Sequence, residues 1–579
     1  MNNKSRSFES DRQVSGNEIL KAESDGLRSS IALELKDDSP TFSNDAAQIL
    51  KFHGVYTQDD RDKRSTLRKN GSELAHMCMV RAAIPGGRLT PEQYLALDEL
   101  ASDLAGESLR ITTRQGIQFH FVSKGDLKPV IKAVNDALLT TYAGCGDVVR
   151  NVTACTAPRS DGLDLQMAEI ADQISARYKP ASSAYFEIWS DGDRIEQAEA
   201  DPIYGTTYLP RKFKIGIATT DDNCVDLMSH DLGVVLDPAR VGQVGIVVGG
   251  GLGKGHADPG SLARLAEPLC TVRTEHLLQT IDIVLSIQRD YGDRSDRSRA
   301  RLKYLIESHG IEWFRREAEA RSNVPFMEFD SVKFSDSPSH LGLNLSAPSR
   351  PYYGLKLPSG RIKDTSQVAL RTALRGVVHD FRPLISLTAK EDLVLFGLEL
   401  EQLEKLRQRL DSDGVQLSES LSPLTRDSFA CPALPTCGLA LAESERILPT
   451  LTKEIDHELK LHALSDSEIS LRMTGCPNGC ARPYLAEIGI VGRSKRSYDV
   501  YLGANRKGTR LGTLYAADVA FDILRESLAG PLRLYSETRL SGEGFGDFCH
   551  RIGVQELTKR YAPAPRRTRK TEPSKSGQS

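Results

Sequence analysis

The chain has no long apolar stretch and almost no net charge. No segment approaches the run of about eighteen apolar residues that a membrane-spanning helix needs, so we expect no such helix. The polar start, MNNKSRSFESDRQ, lacks the apolar core of a secretion signal. A net charge of −3 over 579 residues lacks the basic excess of a nucleic-acid-binding protein. We therefore expect neither a membrane nor a nucleic acid as partner.

Cysteine is also scarce. Ten cysteines in 579 residues are too few for a disulfide scaffold, which favours a reducing, cytoplasmic location. Four of the ten cluster in the last third of the chain. The other six stand singly and are expected to be buried thiols; they are Cys78, Cys145, Cys155, Cys224, Cys270 and Cys549.

A glycine-rich run at 249–255 fits neither common nucleotide-binding pattern. Val248 stands where the phosphate-binding loop needs its first glycine, and Gly255 stands where that loop needs serine or threonine. The dinucleotide fingerprint fails as well, because Lys254 or His256 occupies the position of its last glycine. The sequence therefore predicts no NAD or FAD domain, and any redox chemistry would need electrons from another protein.

Two stretches of the chain share one order of elements. Residues 84–138 and 357–410 each read strand, helix, strand, strand, helix, which is the pattern of a ferredoxin-like α+β half-domain. A fainter echo links residues 246–251 with 498–503, each followed by a loop that contains glycine and lysine. The sequence therefore predicts an α+β fold of two related halves in tandem, between which a ligand can bind.

Four clustered cysteines give the strongest chemical signal. Cys431 and Cys437 are separated by five residues, and Cys476 and Cys480 by three. Four thiolates from two loops can close a tetrahedral sulfur site, which favours an iron–sulfur cluster. Structural zinc normally uses tighter spacing in both pairs and remains an alternative, as does a chance grouping of thiols.

A set of basic residues lies far from these cysteines in the sequence. Lys212 and Lys214 alternate along a predicted strand at 209–217, so they share one face. Two lysines beside apolar strand residues can clamp a small dianion, and the alternative is a solvated strand face. The full basic set is Arg81, Arg114, Arg150, Arg211, Lys212 and Lys214.

Residues 112–120 read as strand, turn, strand. This pattern places Arg114 at the turn and sets Gln118 and His120 on one face of the second strand. His120 taken alone is more often a packed histidine than a ligand, so these three residues assign no chemistry by themselves.

Six motifs together resemble the siroheme-containing sulfite and nitrite reductases. With LKFHGVY, which begins at residue 50, and GEGFGDF, which extends beyond residue 545, the resemblance covers nearly the whole chain. The cysteine motifs are the most specific of them. The resemblance implies the family's pseudo-twofold architecture, with two ferredoxin-like half-domains and two siroheme/iron–sulfur-binding α+β domains. The motifs are TTRQGIQFH, RNVTAC, PIYGTTYLPRKFKIGIA, VVGGGLGKGH, CPALPTCGLALAESER and TGCPNGCARPYLAEIGIVG.

The resemblance also implies cofactors. The family places siroheme beside a [4Fe–4S] cluster, with one cysteine sulfur bridging the cluster and the haem iron. By motif position that axial cysteine is Cys480, while Cys431, Cys437 and Cys476 hold the other cluster irons.

The same resemblance implies a substrate and its ligands. Arg81, Arg150, Lys212 and Lys214 match the family's sulfite-binding cations. The residues matched to siroheme binding are Arg114, Gln118 and His120, with Arg114 facing the carboxylates of siroheme. The implied reaction is assimilatory: six electrons reduce sulfite to sulfide in sulfate assimilation and cysteine biosynthesis.

Two alternatives to this function remain. A ferredoxin-dependent nitrite reductase shares the scaffold, although Cys480-Ala481-Arg482-Pro483 resembles the sulfite branch. A zinc-stabilised binding protein is a remote alternative. The electron donor is either an NADPH-dependent flavoprotein or ferredoxin, and the motifs point both ways.

These patterns predict six segments. They are an N-terminal arm (1–77), a first ferredoxin-like half-domain (78–142), a first siroheme domain (143–340), a second half-domain (341–418), a siroheme and [4Fe–4S] domain (419–562) and a disordered basic tail (563–579).

Overall fold

The computed structural model describes residues 13–182, 188–190, 193–195, 201–256, 258–329 and 331–564. Residues 1–12 of the predicted arm and 565–579 of the predicted tail lie outside this description. Within it, no helix combines the length and the apolar character needed to cross a membrane.

The described chain forms two compact units. The first contains the described residues up to Leu421, with Pro435–Gly438 and Arg506–Leu511. The second contains Ser422–Leu434, Leu439–Asn505 and the described residues from Gly512 onward.

Two antiparallel five-stranded sheets of the first unit contain the predicted ferredoxin-like repeat. The strands of one sheet, in spatial order, are Val55–Asp59, His76–Ala82, Ile117–Val122, Ser108–Ile111 and Arg361–Lys363. The strands of the other are Gly342–Asn344, Tyr352–Leu355, Leu393–Phe396, Leu384–Leu387 and Arg88–Leu89. Val55–Asp59, which belongs to the segment predicted as an arm, is the edge strand of the first sheet.

Each copy also has the two predicted helices. In the first copy, the first helix begins at Pro91. Thr90 and Gln93 cap its N-terminus through reciprocal hydrogen bonds between side chain and backbone. The predicted order of strand, helix, strand, strand, helix is confirmed in both copies. The helices are Pro91–Leu104 and Leu127–Asp136 in the first copy, and Leu370–Phe381 and Leu400–Ser412 in the second.

The two copies exchange a strand, which the sequence did not predict. Arg88–Leu89 of the first copy pairs with Leu384–Leu387, and Arg361–Lys363 of the second pairs with Ser108–Ile111. A tight turn precedes each exchanged strand and ends in Gly87 or Gly360, whose φ angles are +75° and +73°. A Cβ at either glycine would collide with a backbone carbonyl of the opposite copy. Each half-domain therefore completes the other.

Buried ion pairs also join the two copies. Arg371 Nε lies 2.7 Å from Asp98 Oδ1, and Arg110 Nη2 lies 2.7 Å from Glu391 Oε1. Asp98 is fully buried. Because a buried charge is costly without its partner, these pairs help to fix how the copies join.

A second repeat is seen in the strand topology: one sheet of the first unit has the same strand order and directions as the sheet of the second unit. In both sheets the first three strands are parallel and the last two are antiparallel. The strands of the first-unit sheet are Thr153–Ala154, Ile215–Thr219, Leu232–Leu236, Gln243–Val248 and Glu267–Arg273. Those of the second-unit sheet are Ser428–Ala430, Leu471–Thr474, Ile488–Ser494, Ser497–Leu502 and Thr513–Ala520.

This second repeat confirms the fainter echo in the sequence. Gln243–Val248 and Ser497–Leu502 are each the fourth strand of their sheet. Each is followed by a glycine with positive φ, Gly249 at +87° and Gly503 at +90°. Because parallel strands end at one edge, the loops after the first strands of each sheet lie together at that edge.

The remaining helices flank these sheets. Residues 13–77 contain Gly16–Ala22, Ile31–Glu34, Asn44–Ile49 and Arg61–Lys69. Further helices of the first unit are Leu163–Arg177, Leu277–Tyr291, Leu302–His309 and Ile311–Arg321. Those of the second unit are Pro423–Arg426, Leu448–Leu461, Leu524–Thr538, Phe545–Ile552 and Val554–Tyr561. A short hairpin pairs Ile188–Ser190 with Asp193–Ile195.

The ion pair of Asp98 gives a test of how the two copies are joined. We expect Arg371→Ala to lower the free energy of unfolding of the first unit by about 3–5 kcal/mol, because Asp98 stays buried without its main partner. Arg375→Ala is the matched control, since Arg375 is half exposed and 3.6 Å from the same carboxylate, and should cost below about 1 kcal/mol. Chemical denaturation measures both. Equal losses would contradict the assigned role of the buried pair.

Candidate active site

The site in the first unit begins with a strand pairing. Arg81 and Gln118 lie opposite each other on the paired strands His76–Ala82 and Ile117–Val122. With the Gln118 amide turned so that its oxygen faces Arg81, that oxygen accepts hydrogen bonds from Nε at 3.3 Å and from Nη2 at 2.5 Å. Gln118, predicted to bind siroheme, thus orients the guanidinium of Arg81, which is one of the predicted sulfite-binding cations.

Tyr56 and Cys145 surround the same guanidinium. Arg81 lies 6.0 Å from the centre of the Tyr56 ring, and its Nη1 donates to Cys145 Sγ at 3.0 Å. Burial and the neighbouring Cys145 sulfur raise the pKa of Tyr56 above its ordinary value. The phenol therefore stays protonated and can act as a hydrogen-bond donor.

Backbone pairing brings Arg150 to this place. The Arg150 amide donates to the Phe213 carbonyl at 3.0 Å, and the Phe213 amide donates to the Val148 carbonyl at 3.0 Å. Burial alone would lower the pKa of Arg150, but the nearby Tyr56 and Cys145 more than offset it, so the pKa is raised. Arg150 and Arg81 therefore both lie near the side chains of Tyr56 and Cys145.

Lys212 and Lys214 flank Phe213 and so lie beside Arg150. The regular strand begins only at Ile215, after both lysines, so the strand predicted from 209 starts later than expected. Burial lowers the pKa of Lys212 well below its usual value, and the charges of Arg150 and Lys214 lower it further. The four predicted sulfite-binding cations are therefore brought together.

An acidic residue fixes the backbone of this segment. Asp231 Oδ2 accepts from the Lys214 amide at 2.9 Å and from Arg301 Nη2 at 2.7 Å. Asp231 is fully buried. It holds the lysine-bearing segment in place and balances part of its charge.

Arg114 lies at the predicted turn and contacts backbone carbonyls. Its Nη2 donates to the carbonyls of Asn151 and Ile215. Asn151 Nδ2 in turn donates to the Arg114 carbonyl at 2.7 Å. Arg114 thereby ties the turn to the segment that carries Arg150.

His120 is buried on the same strand as Gln118. Neither of its ring nitrogens has a hydrogen-bond partner among the described residues. Burial, followed by the charges of Arg361, Arg110 and Arg81, lowers the pKa of His120 well below its usual value. A neutral imidazole with two unsatisfied nitrogens is suited to a polar group of a bound ligand.

Three of the four clustered cysteines lie in the second unit, in loops that follow parallel strands. Cys431 follows Ser428–Ala430, whereas Cys476 and Cys480 follow Leu471–Thr474. Cys431 and Cys476 are buried, and Cys480 is exposed. Parallel pairing of the two strands explains how cysteines so far apart in sequence occupy one edge.

The cysteine sulfurs of this unit accept hydrogen bonds. The Gly475 amide donates to Cys431 Sγ at 3.3 Å, and Asn478 Nδ2 donates to Cys476 Sγ at 3.6 Å. Gly479, between Cys476 and Cys480, has a φ of +63°, as a tight turn requires. Such donors stabilise negative charge on sulfur, which suits thiolate ligands.

Cys437 belongs to the segment Pro435–Gly438, which packs within the first unit. Arg61 holds this segment: its amide donates to the Pro435 carbonyl at 3.2 Å, and its Nη1 donates to the Cys437 carbonyl at 3.0 Å. These bonds position the backbone of Cys437 through a residue from near the start of the chain.

Sequence reasoning missed Tyr56, Cys145 and Asp231 as parts of the site. Cys145 stands between Gly144 and Gly146, and a Cβ on Gly146 would lie 2.8 Å from the Phe52 ring. That pair of glycines is a sequence sign of close backbone approach. Tyr56 offered no such sign, because its role depends on the strand pairing that sets it beside Arg81.

Family comparisons agree with this fold. Residues 72–137 match the "Nitrite/Sulfite reductase ferredoxin-like half domain", and residues 145–326 match the "Nitrite and sulphite reductase 4Fe-4S domain". The second match covers the first-unit copy of the mixed sheet and ends before the clustered cysteines.

Similar proteins cover nearly the whole chain. The sulfite reductase [NADPH] hemoprotein beta-component of Staphylococcus carnosus is 39% identical over 93% of this chain and 95% of its own length. The protein of that name from Methylobacterium radiotolerans is 41% identical over 93% of this chain and 89% of its own.

A solved structure shows the same fold. The Mycobacterium tuberculosis NirA protein superposes with a TM-score of 0.76 at 23% identity and covers 94% of this chain and 97% of its own. With the two family matches and relatives that are about 40% identical over some nine-tenths of their lengths, the chain belongs to the nitrite and sulfite reductase family.

Proposed function

We propose that the protein is the hemoprotein component of an assimilatory sulfite reductase and works in the cytoplasm. It reduces sulfite to sulfide with six electrons, in sulfate assimilation and cysteine biosynthesis. The observation that carries this proposal is a group of four cations, Arg81, Arg150, Lys212 and Lys214. Arg81 and Arg150 lie beside Tyr56, and Lys212 lies within the electrostatic reach of Arg150 and Lys214. This group occurs in a chain about two-fifths identical to proteins named as sulfite reductase hemoproteins.

The cysteines fit a [4Fe–4S] cluster. Thiolates are the usual ligands of such clusters, and the sulfurs of Cys431 and Cys476 already accept N–H donors. Cys437 would be the third thiolate ligand of the cluster. Cys480, whose side chain is exposed, would complete the four thiolates that hold the cluster and would also serve as the cysteine ligand of siroheme.

The polar residues of the first unit fit siroheme, which carries eight carboxylates. His120 offers two unsatisfied ring nitrogens, and Gln118 and Arg114 lie on the same strand-turn-strand segment. When bound, the siroheme and the cluster supply the electron transfer that the side chains lack.

The side chains supply charge and protons. The guanidinium groups of Arg81 and Arg150 offset the two negative charges of sulfite. Lys212 has a lowered pKa, so it releases a proton at a lower pH than an ordinary lysine. It is therefore suited to protonate an oxygen of sulfite as the S–O bond breaks.

An NADPH-dependent flavoprotein is the electron donor in this proposal. The relatives' names specify NADPH, while the glycine-rich run of this chain fits neither nucleotide pattern. A separate protein must then oxidise NADPH. Ferredoxin is the competing donor.

An assay with two anions and two donors tests the function. We expect the holoprotein, with reduced methyl viologen, to show a higher kcat/KM for sulfite than for nitrite. We also expect turnover with an NADPH-dependent flavoprotein to exceed turnover with ferredoxin. A clear preference for nitrite would replace the proposed substrate, and a preference for ferredoxin would replace only the proposed donor.

Replacing Lys212 tests the role of the cations. We expect Lys212→Met to lower kcat/KM for sulfite about 100-fold, because one oriented charge at the reacting group is lost, and to leave the siroheme spectrum unchanged. Lys132→Met is the matched control, since Lys132 is exposed on a helix, and should change neither. Unaltered turnover in Lys212→Met would mean that Lys212 belongs to a solvated face.

The pH dependence of Lys212→Arg gives a finer test. The lowered pKa means that Lys212 loses its charge, and with it part of the anion affinity, as the pH rises through that lowered value. Arginine keeps its charge, so KM for sulfite should rise at a lower pH in the unaltered protein than in the variant. The kcat of the variant should fall, because a guanidinium is a poor proton donor. Superimposable KM profiles would contradict the assignment.

A further inference from the structure

Four potential metal ligands meet in the first unit, away from the clustered cysteines in sequence. The Sγ atoms of Cys155 and Cys224, a carboxylate oxygen of Asp222 and a ring nitrogen of His340 all lie within 4.8 Å of one another. Cys155, Asp222 and Cys224 are buried, with exposed fractions of 4%, 1% and 5%. Two thiols, a carboxylate and an imidazole form a donor set that single transition-metal ions favour.

The distances between these ligand atoms are slightly shorter than those around a tetrahedral ion. Cys155 Sγ lies 2.9 Å from Asp222 Oδ2 and 3.2 Å from His340 Nε2, and these last two atoms are 2.9 Å apart. Ligand atoms around one zinc ion stand slightly further apart, since zinc binds sulfur at about 2.3 Å and nitrogen or oxygen at about 2.0–2.2 Å. A small outward movement of the side chains would admit the ion.

Outer contacts orient these ligands. His340 Nδ1 lies 3.1 Å from the Tyr352 hydroxyl, which leaves Nε2 facing the cluster. Asp222 Oδ1 accepts from the Cys224 amide at 3.1 Å, which leaves Oδ2 facing the same point. Such partners on the far side of a ligand are typical of metal sites.

The repeat of the mixed sheet gives an independent reason. Cys155 directly follows Thr153–Ala154 as Cys431 follows Ser428–Ala430, and each of these strands is the first of its sheet. In register, Ala154 pairs with Ile217 and Ala430 with Met473, at equivalent places in the second strands.

Cys224 matches Cys480 in the same way. It lies two residues before Asp226, which has a φ of +54°, and Cys480 lies two residues before Arg482, which also has a φ of +54°. A short 3₁₀ helix follows in each copy, Leu227–Ser229 and Pro483–Leu485. Both copies of the repeat thus place sulfur at the same two positions of the fold.

We propose that Cys155, Asp222, Cys224 and His340 bind one zinc ion as a structural site. The site uses the places in the first copy that Cys431 and Cys480 occupy in the second. Asp222 and His340 complete it, so its ligands are two sulfurs, one nitrogen and one oxygen. Such a mixed ligand set is typical of a single zinc ion, whereas an iron–sulfur cluster is normally held by four cysteines. All four coordination positions come from the protein, so the ion holds His340 and its chain segment to the sheet.

Without an ion, the same residues form a hydrogen-bonded network. His340 Nε2 pairs with the Asp222 carboxylate at 2.9 Å, and Cys155 Sγ donates to the same carboxylate oxygen at 2.9 Å. That network is the competing account of the cluster. It binds no metal, so metal content separates the two.

The test uses holoprotein that was made in a siroheme-competent host with zinc and carries its full acid-labile sulfide. We expect about one zinc per chain by elemental analysis. X-ray absorption at the zinc edge should show two sulfur ligands at about 2.3 Å and two lighter ligands at about 2.0–2.2 Å. This measurement needs no variant, so it holds even where a substitution prevents folding.

A double variant assigns the zinc to these residues. Cys155→Ser with Cys224→Ser should lose the zinc and keep the acid-labile sulfide. Cys270→Ser, which alters another buried thiol of the same sheet, should keep both. The proposal is overturned by holoprotein without stoichiometric zinc, by a zinc edge with four sulfurs or with none, or by zinc retained in the double variant. Because sulfide and sulfite turnover are recorded separately, failure here leaves the proposed function standing.

Discussion

Parallel pairing of the first three strands in each mixed sheet is the constraint on which the placement of the clustered cysteines depends. It sends the loops after these strands to one edge, whatever their distance in sequence. In the second unit this edge carries Cys431, Cys476 and Cys480. In the first unit the equivalent edge carries Cys155 and Cys224, while the lysines lie just before the second strand. One topology thus positions sulfur ligands twice.

Electrostatics governs the group of cations in the first unit. Placing cations together in a partly buried site is costly, and the lowered pKa of Lys212 reflects that cost. Asp147 offsets part of it: its carboxylate pairs with Arg297 at 2.6 Å, and its pKa is lowered although burial alone would raise it. The remaining positive charge is available to an anion. A site that is charged before the substrate arrives needs little rearrangement during the reaction.

Local sequence patterns predicted the elements well because these patterns are periodic and capped. Helices such as Pro91–Leu104 and Leu400–Ser412 follow from their apolar spacing and from capping residues at their first turns. The strand exchange through Arg88–Leu89 could not be predicted in this way. This strand has only two residues, and so short a sequence does not specify the distant strand with which it pairs.

The same limit applies to the candidate site. The cysteine motifs and the four cations could be identified by resemblance to a family, and the fold brings the cations together. Tyr56 could not, since its position beside Arg81 comes from an edge strand in a segment expected to be an arm. Cys155 and Cys224 were expected to be isolated thiols and are indeed buried. Their meeting with His340 follows only from the tertiary fold.

The comparison of Cys480→Ser with Cys224→Ser tests the central claim most directly, because these cysteines hold equivalent places in the two copies. The measurement is electron paramagnetic resonance of the reduced holoprotein, together with sulfite turnover. The account predicts that Cys480→Ser loses the joint signal of cluster and haem and loses turnover, whereas Cys224→Ser keeps both. Full turnover and an unaltered signal in Cys480→Ser would contradict it.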